Sequence, residues 1–258
     1  MSAETMVSLR IDGRNISAPK GTAVLDAAKL LGIHIPTLCH HEALTRQATC
    51  RICIVELSIE KRGRTHQWMD ASCVYPVEEG LVVLTDSPRV RAQRKILLEL
   101  MLSRAPEAPV LLELAKEYGA EPGRFESIDK GKSNCILCGL CVRACSERIN
   151  AGGLGFAFRG VRKKLVSPLH IAKDVCIGCT ACGFVCPTNA IKIEQERSCM
   201  HMVSLKTDLP LRQCSRCGAP IASVRQHEQV RETLALSDSV LELCPDCRRK
   251  QSLTSQIH

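Results

Sequence analysis

Two runs of four cysteines are the strongest chemical signal in the chain. Each reads C-x2-C-x2-C-x3-C, and the two runs comprise Cys135, Cys138, Cys141 and Cys145, then Cys176, Cys179, Cys182 and Cys186. Thiolates at this spacing hold [4Fe–4S] clusters, and the fourth cysteine of each run ligates the other cluster. The predicted ligand sets are therefore crossed: Cys135, Cys138, Cys141 and Cys186 for the first cluster, and Cys145, Cys176, Cys179 and Cys182 for the second. Two zinc sites are the competing interpretation, but a doubled run with this spacing favours the clusters.

A third set of four cysteines lies near the N-terminus with the spacing C-x10-C-x2-C-x19-C. Its members are Cys39, Cys50, Cys53 and Cys73. Plant-type ferredoxins hold a [2Fe–2S] cluster on C-x4-C-x2-C and a distant fourth cysteine. The first loop is longer here, so the spacing alone matches only in part. The predicted order of two strands, a helix, a cysteine loop and a strand is that of a β-grasp ferredoxin.

A fourth set reads C-x2-C-x26-C-x2-C and consists of Cys214, Cys217, Cys244 and Cys247. Two such pairs that close on one tetrahedral ion form a structural zinc site with no open coordination position. We predict zinc here; a mononuclear iron, a further iron–sulfur cluster and unligated thiols are the alternatives. The metal would fold a tail too small to bury its own core, and the predicted use of that tail is docking to a partner subunit.

The remaining candidate residues indicate no catalytic site. Cys199 lies outside all four sets and is predicted to be a buried or surface thiol. His40 and His41 follow Cys39 and are interpreted as solvated or supporting residues rather than iron ligands. The sequence contains no dinucleotide or phosphate-loop fingerprint. Whether the chain is itself an enzyme therefore stays open, and no catalytic residue is predicted.

The elements that must position these cysteines have an α+β pattern. Residues 6–11 alternate as a strand, and Thr22 is predicted to cap a helix that stops at Gly32. Ser87 followed by Pro88 is typical of a helix start. We predict four segments: a β-grasp [2Fe–2S] domain over 1–87, a helical connector over 88–131, a dicluster ferredoxin domain over 132–198 and a zinc-ribbon-like tail over 199–258.

Composition supports metal ligation over disulfides. Aromatic residues make up only 3% of the 258 residues, so the core is thin, and seventeen cysteines are available to reinforce it. Tight cysteine pairs and an N-terminus without an apolar leader favour a reducing compartment, so a cytoplasmic protein without a membrane span is predicted. The chain has a formal charge of +8. About sixteen ligating thiolates and roughly eight positive charges of the metals together add about −8, so the metal-loaded protein is near neutral. Nucleic acid is therefore not predicted as a partner.

Several segments resemble one family of iron–sulfur subunits. They are IPTLCHH (35–41), ATCRICIVEL (48–57), ASCVYPVEEGLVVLTDSPRVRAQRKILLELMLS (71–103) and the two four-cysteine runs. The family comprises the N-terminal part of the large iron–sulfur subunit of NADH dehydrogenase, the small diaphorase subunit of bidirectional or electron-bifurcating hydrogenases, and NAD-linked formate dehydrogenases. The resemblance implies that the N-terminal cysteine set holds a [2Fe–2S] cluster.

The resemblance also implies a role as an electron relay. The expected partners are an NADH-dehydrogenase-like flavoprotein on one side and a catalytic NiFe hydrogenase or a molybdenum or tungsten formate dehydrogenase on the other. Ferredoxin is a further candidate partner. A free multi-cluster ferredoxin and a scaffold folded by its metals are the alternative functions.

One departure from the family concerns an extra cluster. Many members hold a further [4Fe–4S] cluster on one histidine and three cysteines after the helix that ends in LELMLS. Here Ala105 and Pro106 stand where a His-Pro pair is expected, and the next cysteine is Cys135. The extra cluster is predicted to be absent, which leaves one [2Fe–2S], two [4Fe–4S] and one zinc, or about ten irons.

Overall fold

The computed structural model describes residues 5–127, 133–234 and 241–254. The chain divides into two units, Met1–Leu140 and Cys141–His258. The boundary falls inside the first four-cysteine run, and the division into four segments stays a prediction. The last four residues of the predicted connector, 128–131, lie outside the described residues.

The first unit contains a five-stranded mixed sheet. Its strands are β1 (Met6–Ile11), β2 (Arg14–Pro19), β3 (Ile54–Lys61), β4 (Arg64–Ala71) and β5 (Val82–Leu84), in the order β2-β1-β5-β3-β4. β1 is antiparallel to β2 and parallel to β5, whereas β3 is antiparallel to both β4 and β5. Val7, Leu9 and Ile11 are buried on one face of β1, which confirms the predicted alternation.

Helix α1 (Val24–Leu30) buries Val24, Leu25, Ala27 and Ala28 in the core that the sheet forms. The predicted cap at Thr22 is wrong, because the N-cap is Ala23 and no side chain caps this end. The amides of Val24 and Leu25 instead donate to the carbonyls of Tyr75 and Ser72. A helix start needs partners for its free N–H groups, and here a neighbouring loop supplies them.

Two further helices follow the sheet, as predicted. Helix α2 (Pro88–Leu102) begins at Ser87, whose Oγ accepts a hydrogen bond from the amide of Val90 at 3.2 Å. Helix α3 (Pro109–Tyr118) ends at Gly119, which has the left-handed conformation common at helix ends.

The second unit has short helices around the cysteines and a four-stranded antiparallel sheet. Helix α4 (Leu140–Arg143) continues as a π-helical turn over Ala144–Arg148. The later elements are β6 (Gly155–Ala157), β7 (Lys164–Val166), α5 (Ala172–Val175), α6 (Ala181–Phe184), β8 (Glu194–Gln195), β9 (Cys199–Met202), β10 (Thr207–Gln213), β11 (Pro220–Ser223), α7 (Val224–Leu234) and α8 (Pro245–Thr254). β6 pairs with β7, and the larger sheet has the order β11-β10-β9-β8.

The core of the second unit joins the cysteine helices to that sheet. Cys141 and Cys182 are buried in it together with Met202, Leu205 and Leu209. Residues on both sides of position 198 therefore share one core. The mixed helix and strand content agrees with the predicted class, and no helix in the described part of the chain is long and apolar enough to cross a membrane.

Candidate metal centres

The N-terminal cysteine set lies in two loops of the first unit, one between α1 and β3 and one between β4 and β5. Cys39 follows α1, Cys50 and Cys53 precede β3, and Cys73 follows β4. All four are buried, with exposed fractions of 1% to 7%. The sheet and α1 thus bring together four thiols that are separated by up to 34 positions, from 39 to 73, in the sequence.

These four thiols are arranged as two neighbouring pairs. A hydrogen bond with Cys39 raises the pKa of the Cys50 thiol, and burial acts in the same direction. A hydrogen bond with Cys73 lowers the pKa of Cys53 to about 7. The amide of Cys50 also donates to the Cys39 sulfur at 3.3 Å. Two pairs of thiolates are the ligands that a cluster of two irons requires, so this donor set fits a [2Fe–2S] cluster.

Two arginines fix the backbone of these loops, and the spacing of the cysteines gave no signal for either. Arg94 is 1% exposed and donates to the carbonyls of Ile52 and Ile54, on either side of Cys53, at 3.0 and 2.9 Å. Arg46 donates to the Cys73 carbonyl at 3.0 Å. Buried carbonyls need such partners, and these hydrogen bonds hold the ligand loops in place.

The histidines beside Cys39 differ from each other. Both ring nitrogens of His40 are buried and have no hydrogen-bond partner among the described residues. Of the two roles predicted for this residue, solvated or supporting, the solvated one is therefore wrong. Burial lowers the pKa of His40. The Nδ1 atom of His41 accepts a hydrogen bond from the amide of Ala43 at 3.1 Å.

In the second unit, one cavity is lined by cysteines from both runs. The cysteines are Cys145, Cys176, Cys179 and Cys182, and the other lining residues include Ile149, Leu154 and Leu205. Burial raises the pKa of Cys182 to about 12, with the neighbouring thiols acting in the same direction. Four thiols around a largely apolar cavity fit a [4Fe–4S] cluster. The cavity contains all four predicted ligands of the second crossed set.

The ligands predicted for the other cubane are divided between the units. Cys135 and Cys138 belong to the first unit, and Cys141 and Cys186 to the second. The carbonyl of Cys135 accepts a hydrogen bond from Arg104 at 3.4 Å, and the Cys186 sulfur accepts one from the amide of Ala190 at 3.2 Å. This ligand set stays a prediction.

The tail cysteines form the tightest group. The sulfurs of Cys214, Cys217, Cys244 and Cys247 all lie within 4.8 Å of one another, and that of Cys217 is 3.6 Å from that of Cys244. Four sulfurs around one tetrahedral ion with bonds of about 2.3 Å are spaced by about 3.8 Å. The backbone of Cys244 lowers the pKa of Cys214 to about 6 by hydrogen bonding. The donor set fits a single ion, and Cys199 lies outside it, half-buried in β9.

Comparisons with known proteins agree with the two kinds of cluster. Residues 4–88 match the family described as a 2Fe-2S iron-sulfur cluster binding domain, and residues 169–192 match a 4Fe-4S binding domain. The first match contains the whole N-terminal cysteine set, and the second contains the whole second run.

Similar proteins include subunits of several oxidoreductases. The NADP-reducing hydrogenase subunit HndD of Solidesulfovibrio fructosivorans is 34% identical over 74% of this chain and 37% of its own length. The 78 kDa subunit of mitochondrial NADH-ubiquinone oxidoreductase from Candida albicans is 32% identical over 60% of this chain and 24% of its own. The resemblance to NADH-dehydrogenase-like iron–sulfur subunits is confirmed. The chain spans about a quarter to just over a third of the length of these relatives.

A solved structure shares the fold over much of the chain. It is a chain of an NAD+-reducing [NiFe]-hydrogenase in the H2-reduced state, with 28% identity and a TM-score of 0.52. The match covers 62% of this chain and 74% of that chain. Unlike the two relatives above, this hydrogenase chain is thus matched over most of its own length.

Proposed function

We propose that the chain is an electron-transfer relay within a multi-subunit oxidoreductase. The observation that carries this proposal is the cavity where Cys145 lies with Cys176, Cys179 and Cys182. Cysteines from two runs converge there, as the crossed ligation of a dicluster ferredoxin requires. The paired thiols of the N-terminal set add a further cluster, and no arrangement of residues in the described part of the chain suggests a reaction other than electron transfer.

The residues of the chain would hold and insulate the clusters. When bound, the clusters supply one-electron oxidation and reduction. The burial of Cys39, Cys50, Cys53 and Cys73 keeps water away from the first site. Backbone amides donate to the sulfurs of Cys39 and Cys186, and hydrogen bonds to ligand sulfurs stabilise negative charge and so influence the potential.

We also propose the fold of the first unit, the ligands of the first [4Fe–4S] cluster and the metal of the tail. The first unit would be a β-grasp ferredoxin domain, supported by its mixed sheet and by α1, whose buried residues share a core with that sheet. The first [4Fe–4S] cluster would use the ligand set predicted from the spacing. The tail would be a zinc-ribbon-like site that docks to a partner, with zinc favoured because four thiolates surround one position. The extra cluster of the family would be absent.

The partners are proposed from the named relatives. A subunit of an NADP-reducing hydrogenase and a chain of an NAD+-reducing [NiFe]-hydrogenase are both similar to this chain. We therefore propose a nicotinamide-oxidising or -reducing flavoprotein on one side and a NiFe hydrogenase on the other, in the cytoplasm. A molybdenum or tungsten formate dehydrogenase is the second candidate for the catalytic partner, and ferredoxin is a further partner.

Anaerobic purification with metal analysis and EPR-monitored redox titration tests the proposal. We expect about ten irons and one zinc per chain, and clusters that reduce reversibly. From its native source, the chain should elute with flavin and with nickel, molybdenum or tungsten. Elution as a single subunit would support a free ferredoxin instead. Metal centres that stay EPR-silent at all potentials would indicate a scaffold and contradict the relay.

A further inference from the structure

The loop that carries Cys176 and Cys179 packs directly against strands β10 and β11. At Gly178, φ is +73°, and an added Cβ would lie 2.9 Å from Cδ1 of Leu209 in β10 and 3.1 Å from Cβ of Ser223 in β11. Distances this short leave no room for a side chain. The backbone of the ligand loop is therefore packed on the sheet that leads into the tail.

Ser223 ties this loop to the start of α7. Its side chain is fully buried, and its Oγ donates a hydrogen bond to the carbonyl of Ile177, next to Cys176. The same Oγ accepts a hydrogen bond from the amide of Gln226 at 3.1 Å. One hydroxyl thus joins the ligand loop to the first turn of a helix, and it fixes the position of the residue between them, Arg225.

Arg225 places a positive charge beside the ligand loop. Its Nη1 atom donates to the carbonyl of Cys176 at 3.3 Å, and the side chain is partly buried. Within the described residues, no carboxylate lies within ion-pair distance of this guanidinium. A charge that is partly removed from water and has no ion-pair partner acts strongly on neighbouring charges.

We propose that Arg225 is a positioning residue that raises the reduction potential of the cluster held by Cys145, Cys176, Cys179 and Cys182. The inference rests on the proposed function, because it needs that cluster. Reduction adds one electron from an external one-electron donor, and no bond or proton is exchanged. The added negative charge is stabilised by the guanidinium on the Cys176 carbonyl. The segment after β10 would therefore set the potential of a relay cluster, in addition to its proposed role in docking to a partner.

The test is an EPR-monitored redox titration of the full cluster-loaded chain and three variants. Arg225→Gln should lower the equilibrium constant for reduction of this cluster about tenfold. For one electron, this change lowers the reduction potential by about 59 mV. Arg225→Lys keeps the charge and should stay within about threefold of the unchanged protein. Ser223→Ala removes the hydroxyl that positions Arg225 but keeps the guanidinium and its bond to the Cys176 carbonyl, so its shift should be smaller than that of Arg225→Gln and stay below about threefold.

Arg231→Gln is the matched control, because Arg231 is exposed on the same helix and the substitution removes the same charge. It should leave the potential unchanged. The signal of this cluster is the one that Cys179→Ser removes. The inference is overturned if Arg225→Gln leaves the potential unchanged, or if Arg225→Lys or Ser223→Ala shifts it equally. If the unchanged chain takes up no [4Fe–4S] cluster at all, the proposed function fails together with the inference.

Discussion

The N-terminal and tail cysteine sites use four thiols each but arrange them differently. In the first site the thiols form two pairs, Cys39 with Cys50 and Cys53 with Cys73. In the tail all four sulfurs lie within 4.8 Å of one another. Two pairs suit two irons, whereas a single compact group suits one tetrahedral ion. Equal numbers of thiol ligands thus suit different metal centres once the fold sets the distances between the sulfurs.

The two sites also differ in what surrounds them. Cys53 and Cys73 belong to an extended core that α1 and the five-stranded sheet build. The cluster of buried residues around the tail site consists of three of its own ligands, with Ile221 and Leu243 packed against it. A region with so little apolar surface is expected to need the proposed metal for folding, whereas the first region has a core of its own.

The largest expected effect is that of removing a tail ligand. Cys247→Ala should abolish binding of the proposed zinc and unfold the turn between β10 and β11, because that metal would be the main link there. The amides of Cys214 and Gly218 donate to carbonyls within this turn, and that of Ser215 donates to the carbonyl of Glu242. All three amides should lose their protection in hydrogen exchange. Metal analysis should show the zinc lost.

Cys199→Ala is the control for this variant, because Cys199 is half-buried in β9 and outside every ligand set. It should retain zinc and protection. If Cys247→Ala kept the turn amides protected, the tail would be folded by its own packing, and the contrast between the two regions would be wrong.

A smaller effect is expected from Arg94→Met in the first region. The change leaves the buried carbonyls of Ile52 and Ile54 without their donor, which should cost about 3 kcal/mol of unfolding free energy. Urea unfolding followed by the fluorescence of Trp68, the single tryptophan and part of β4, measures this change. Gln93→Ala, on the exposed side of α2, should stay within about 0.5 kcal/mol; an equal loss in both variants would argue against a specific role for Arg94.

The smallest effect on folding is expected from Cys53→Ala. The [2Fe–2S] EPR signal should disappear, because one iron loses a ligand. In metal-free protein, however, unfolding of the first sheet should change by only about 1 kcal/mol, since the core around the site remains. Trp68 fluorescence measures the second quantity. Complete unfolding of the sheet would show that the first region, like the tail, depends on its metal.

The presence of a [2Fe–2S] and a [4Fe–4S] binding domain followed largely from the sequence. Cysteine spacing indicated the cluster types because the ligands of a cubane lie close together along the chain. The alternation in 6–11, the cap at Ser87 and the stop at Gly32 were likewise readable, since each depends on neighbours within a few positions. The fold class and the resemblance to iron–sulfur subunits rested on these local patterns.

Contacts between distant positions were decided only by the tertiary structure. Thr22 has the residue type of a helix cap, yet the amides at the start of α1 find carbonyls near Cys73 instead. Arg94 reaches a carbonyl 42 positions away, and Arg225 reaches one 49 positions away. The residues that flank these two arginines in the sequence do not distinguish them from exposed arginines. Their burial and their hydrogen-bond partners arise from how remote segments pack, which no short-range pattern encodes.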